Sequence, residues 1–136
     1  MSNETNIAIV RRYFAQVLNQ GRHDLVDEFL SEDVELHGSG LAQGLGAIKG
    51  WLTVFAGAFP DQHTEIEDVI AGEDRVVVRT TLKATHQGEM QGIPATGKAV
   101  HLPAITIFRL DNGKIVEGWL ATDNLSMMQQ LGVING

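Results

Sequence analysis

The chain has 136 residues, 43% of them hydrophobic, which is enough for one domain with its own core and too few for two ordinary ones. Ten basic against seventeen acidic residues give a formal charge of -7 without a run of like charges, and this argues against nucleic acid or an anionic membrane as partner. The absence of cysteine excludes a disulfide framework, a thiolate metal site and a cysteine nucleophile, and fits a reducing compartment.

In chain order, the polar start Met1-Ser2-Asn3-Glu4 lacks the basic-then-apolar pattern of a secretory leader. No apolar run is long enough to span a bilayer, so a cytoplasmic protein is expected. Ile7, Val10, Tyr13, Phe14, Val17 and Leu18 recur at helical spacing, with Gly21 as the stop. A short second helix is expected from Asp24 to Leu30, then a brief strand from Asp33 to His37 and a glycine-rich loop. Ile48, Trp51, Leu52, Phe55 and Phe59 form another helical stripe between Gly46 and Phe59, ended by Pro60, which disfavours helix in the residue before it. Beyond Pro60 the period changes to two. Strands rich in Val, Ile and Thr are expected over 63–71, 75–86, 100–110 and 114–123. Asn112-Gly113 favours a tight antiparallel hairpin between the last two. A last helix runs from Asn124 to Leu131, stopped by Gly132. Helices followed by a strand meander form an α+β pattern, with helices covering one face of a curved antiparallel sheet.

A family resemblance rests on Phe59-Pro60-Asp61, Glu67-Asp68-Val69-Ile70, Thr85-His86-x-Gly88-Glu89, Gly92-Ile93-Pro94-x-Thr96-Gly97-Lys98, Gly113-Lys114-Ile115-x-Glu117-x-Trp119-x-x-x-Asp123 and Gln129-Gln130-Leu131-Gly132. Together these motifs, spread over the second half of the chain, resemble the SnoaL-like polyketide cyclases of the nuclear transport factor two superfamily. The resemblance implies a single cone-shaped α+β domain over 1–136 that encloses a deep apolar pocket, is often a homodimer, and needs no metal or organic cofactor. It also implies that Asp123 is the acid/base of an intramolecular aldol ring closure on a small apolar carbonyl substrate. The same scaffold suits two alternatives, a non-catalytic ligand carrier and an isomerase or hydrolase.

The residues themselves leave the role of Asp123 open. Strand alternation groups Ile115, Glu117, Trp119, Ala121 and Asp123 on one face, so a Trp119 that points into the pocket takes Asp123 with it. There, desolvation would raise the carboxyl pKa toward neutrality, as acid/base work requires. Asp123 also immediately precedes the last helix, where aspartate is a preferred cap. His86 and His101 lie beside the motifs and are candidate catalytic partners, with backbone hydrogen bonding as the structural alternative. Trp119, Trp51, Phe55, Phe59, Met90, Tyr13 and His37 are the candidate ligand contacts; the helical aromatics read equally as core, and Tyr13 as a core-edge residue. Glycine-bracketed 88–97 is a candidate lid around Met90. The five histidines lack H-x-H or H-E-x-x-H spacing, so a metal site would require convergence in space. Arg79 is expected to pair across strands with Glu65 or Glu67. Arg109 with Asp111 would shape the hairpin end. The run Gly38-Ser39-Gly40-Leu41-Ala42-Gln43-Gly44 is not a dinucleotide loop, because no parallel strand with a ribose-binding acid follows it.

Overall fold

The apolar stripe from Ile7 to Leu18 builds the first helical layer. In the computed structural model, which describes residues 2–38, 43–90 and 92–133, it forms α1 (Asn3–Arg12) and then a π-helical segment (Tyr13–Asn19). The Ser2 hydroxyl caps α1 by accepting from the Thr5 N–H. The wider π turn, closed by Gln20 N–H donating to Ala15 C=O, lets consecutive Tyr13 and Phe14 both be buried along with Val17. A 3₁₀ turn (His23–Leu25) leads into α2 (Val26–Phe29), and the chain turns extended at Leu30. Strand β1 (Leu30–His37) therefore starts three residues before the expected Asp33.

Helix α3 (Leu45–Ala58) ends two residues before Pro60. Its carboxyl end is fastened to the sheet because the Gln87 and Gly88 N–H groups both donate to the Ala58 carbonyl, at 2.9 and 3.1 Å. Gly88 is required at this approach, since a Cβ there would run into the Gly57 carbonyl. Strands β2 (His63–Gly72), β3 (Arg75–Thr85), β4 (Ala99–Asp111) and β5 (Lys114–Thr122) follow as an antiparallel meander, then α4 (Asn124–Leu131). Asn112 (φ 49) and Gly113 (φ 80) supply the two positive φ values that a tight two-residue hairpin needs.

The sheet order is β1-β5-β4-β3-β2, and β1 lies parallel to β5. The sheet is thus mixed rather than wholly antiparallel, and it stays open. The parallel pairing is possible because the long excursion from β1 through α3 and the meander provides the crossover that neighbouring parallel strands need. Alternation divides the sheet into two faces. On β3, Val76, Val78, Thr80 and Ala84 are buried under the helices, while Arg75, Arg79 and Lys83 are exposed on the other side. The main core joins Val10, Phe14, Val17, Phe29, Ile48, Leu52, Val78, Phe108 and Ile115. A second cluster of Phe59, Val100, Leu102, Met127 and Leu131 seats α4 against the far end of the sheet. No helix among the described residues is long and apolar enough to cross a membrane.

Candidate functional site

Between the helices and the inner sheet face lies a cavity of about 140 Å³, lined by Tyr13, Phe14, Leu18, Leu36, Trp51, Phe55, Gln62, Thr80, Thr106, Phe108, Gly118 and Leu120. A second chamber of about 240 Å³ shares Trp51, Phe55 and Leu120 with the first, and adds Leu82, Met90, Leu102, Ala104, Thr122, Asn124, Met127 and Met128. Trp51 and Phe55, one helical turn apart, stack at 5.1 Å and 16° and form the wall common to both. Gly118 makes room, because a Cβ there would come within 2.9 Å of Leu36 Cδ2 and 3.4 Å of Phe108 Cδ1.

The chemistry of this lining is neutral. Among the described residues, no carboxylate and no imidazole lines either chamber. Gln62 is engaged in the fold: its amide donates to the Leu18 carbonyl and its Oε1 accepts from the Thr64 hydroxyl. That leaves the hydroxyls of Tyr13, Thr80 and Thr106 as the polar groups offered to a guest in the first chamber. Tyr13 packs edge-on against Phe14, Phe29 and Phe108 at 5.7, 6.2 and 6.2 Å. Burial pushes its phenol above the ordinary tyrosine range, so it remains protonated and able to donate at neutral pH.

Among the residues singled out from sequence, the structure brings Tyr13, Trp51, Phe55 and Met90 together at the cavity. Phe59 is fully buried between Phe55 and His86, as core rather than lining. His86 is also fully buried; its Nδ1 lies 3.1 Å from the Thr96 hydroxyl and accepts from the Thr96 N–H at 3.3 Å, which ties Thr96 to the imidazole. His101 is exposed, and Gln130 spans its main chain, accepting from its N–H and donating to its carbonyl at 2.7 and 3.0 Å. Asp123 is exposed and caps α4, its Oδ1 accepting from the Ser126 N–H at 2.9 Å. It borders a shallow groove on the outer sheet face with Arg79, Pro103, Ile105 and Ala121. On β5 the inward set is Gly118 and Leu120, so Trp119 points away from the cavity.

Trp119 instead joins a polar assembly on that outer face. The His37 ring stacks on it at 5.6 Å and 28°, and the Arg75 guanidinium lies 5.8 Å from its ring. His37 Nε2 is 2.9 Å from Glu117 Oε2, and Arg109 Nε donates to Glu117 Oε1 at 3.2 Å. Arg109 therefore reaches across the hairpin to Glu117 rather than along it to Asp111. The hydrogen bond to His37, aided by Arg109, holds the Glu117 carboxyl below the usual carboxylate range, against a smaller opposing desolvation. Arg79 pairs with Asp68 at 2.7 Å rather than with Glu65 or Glu67, because a bulge between Ile66 and Asp68 shifts the register.

Sequence reasoning missed Phe14, Leu36, Thr80, Thr106, Phe108, Gly118 and Leu120 as lining residues. The available signal was the apolar row Leu102, Ala104, Thr106, Phe108, Leu110 on β4, which carries Thr106 inward with its neighbours.

A family model described as SnoaL-like polyketide cyclase matches residues 8–131. No curated protein matches the chain. Among solved structures, TsrD from Streptomyces laurentii superposes with a TM-score of 0.89 at 22% identity, covering 98% of this chain and 99% of its own. A candidate SnoaL-like polyketide cyclase from Jannaschia sp. CCS1 gives 0.88 at 25% identity, covering 98% and 95%. AclR from Streptomyces galilaeus, described as a candidate hydroxylase, gives 0.87 at 28% identity, covering 99% and 85%.

Proposed function

Because the chain belongs to the SnoaL-like polyketide cyclase family, we propose that it binds a small, largely apolar carbonyl compound in the two-chambered cavity and promotes its ring closure there, with Tyr13 facing the reacting carbonyl. The observation that carries this reading is the lining: aromatic and aliphatic walls with protonated hydroxyls and no ionised group. Such walls recognise shape, and they hold a flexible chain folded so that its nucleophilic carbon and its ketone lie within reach of each other. The carbon between two carbonyls reacts as its enol: its new C–C bond forms as the ketone π bond breaks, negative charge develops on the ketone oxygen, and the proton released by the enol O–H ends on that oxygen as a hydroxyl. A buried phenol that stays protonated is suited to donate a hydrogen bond to that oxygen. Asp123, which the family resemblance implies as acid/base, is held by α4 on the far side of the sheet. A carboxylate spent on a helix cap is poorly placed to exchange protons with a guest in the cavity.

A second reading, a carrier that returns its ligand unchanged, is favoured by the same lack of an acid/base pair in the lining. A synthetic aryl poly-β-keto ester that cyclises slowly unaided separates the readings. Ring closure faster than the buffer rate supports a cyclase, and binding without acceleration supports a carrier. Within the cyclase reading, Tyr13→Phe is expected to lower turnover about 10²-fold with little change in binding, whereas Asp123→Asn keeps both. Loss of turnover in Asp123→Asn with binding intact would return the chemistry to the carboxylate and overturn the assignment of Tyr13.

A further inference from the structure

We propose that Glu35, His37 and Glu117 form a binding site for a divalent transition ion of the Zn²⁺ class on the outer face of the sheet, where β1 meets β5. Glu35-Leu36-His37 is a strand pair at i and i+2, so both side chains leave the same face. The parallel register sets Glu35 opposite Glu117 and His37 opposite Trp119, after a bulge between Leu30 and Glu35 fixes the offset. His37 Nε2 lies 2.9 Å from Glu117 Oε2 and 3.7 Å from Glu35 Oε2, and the three ligand atoms all fall within 4.8 Å of one another. Ligands around an ion bonded at about 2.0–2.1 Å stand roughly 3 to 3.5 Å apart. Glu117 and His37 are already close to that spacing. Glu35, whose side chain is 57% exposed, has only to swing inward.

Two contacts orient the set from outside. Arg109 holds Glu117 Oε1, which leaves Oε2 toward His37. The indole of Trp119 fixes the plane of the His37 ring. Partners of this kind orient ligands and raise the affinity of metal sites. One imidazole nitrogen with two carboxylate oxygens suits Zn²⁺, Co²⁺ or Ni²⁺ better than Mg²⁺ or Ca²⁺. The solvent side of His37 leaves coordination positions for water. Ion pairs from His37 to Glu117 at 2.9 Å and to Glu35 at 3.7 Å would account for the cluster without an ion, but they predict no saturable uptake of a metal that depends on Glu35. Dependence on Glu35 is therefore the distinguishing consequence.

Trp119 is a built-in reporter, because Trp51, inside the cavity, is the only other tryptophan. In the full chain carrying Trp51→Phe, titration with Co²⁺ or Ni²⁺ is expected to quench Trp119 emission saturably, with one equivalent bound. Zn²⁺ should reverse the quenching and Mg²⁺ should not. The visible absorption of Co²⁺ bound to the unmodified chain gives the same answer without relying on that substitution. Glu35→Gln should weaken binding at least about tenfold, and His37→Gln should abolish it, with the far-ultraviolet circular dichroism unchanged in both. Absence of saturable binding up to millimolar ion would overturn the site. So would equal affinity in Glu35→Gln, which would leave only the ion pair, or binding that survives His37→Gln, which would place the ion on other histidines.

Discussion

Ile105 and Thr106 are neighbours on β4 and opposites in environment: Thr106 is 8% exposed and lines the first chamber, while Ile105 is 49% exposed on the other side. On the inner face, the described residues around the cavity are all neutral. The outer face gathers Arg75, Arg79, Arg109, Glu117 and Asp123. The cost of burying an unpaired charge explains the division, since a strand can hold a cavity wall and an ionic surface only by assigning them to alternate residues. The polarity of a side chain is therefore a poor guide to its face here. A threonine lies inside and an isoleucine outside.

The largest effect should come from putting the same charge on each side. Thr106→Asp buries a carboxylate among Phe108, Thr80 and Gly118, and should lower stability by about 3 kcal/mol or more in urea unfolding. Ile105→Asp should stay within about 0.5 kcal/mol, as exposed substitutions do. A comparable loss at Ile105 would mean that the outer face is covered in solution, and the contrast between the faces would fail.

Much of this arrangement can be read in the sequence, because punctuation and period are local. Pro60, Asn112-Gly113 and Gly132 mark ends that the structure reproduces, and the switch from a 3.6 to a 2 period separates helices from strands. The π turn at Tyr13–Asn19 leaves no mark in the spacing, since its apolar positions satisfy an α-helix equally well. The parallel pairing of β1 joins segments about 80 residues apart, which no local pattern encodes. The inward set of β5 was hidden by Trp119, whose size suggests burial. Contacts with His37 and Arg75 satisfy the indole outside, and the small Gly118 takes the inward place where space is needed.

A middle-sized effect tests which side Asp123 serves. As the cap of α4 it holds the Ser126 N–H, so Asp123→Ala should cost about 1 kcal/mol and Asp123→Asn only a few tenths. If the alanine variant were instead as stable as the parent, the carboxylate would not be committed to the helix, and its distance from the inner face would need another explanation.

The smallest effect concerns acid. Glu117 has a folded pKa held below its unfolded value, first by the hydrogen bond to His37 and then by Arg109. A depressed carboxylate contributes stability that is complete above the unfolded pKa and is lost as pH falls through the folded one. The loss should therefore appear below the ordinary carboxylate range and leave neutral pH untouched. Glu117→Gln removes the titrating group, so the acid limb of the stability curve should be shallower in the variant than in the parent, measured as unfolding midpoint against pH. An unchanged limb would mean that His37 and Arg109 do not hold Glu117 in solution as they do in the folded geometry. The ordered side of the sheet would then be the apolar one alone.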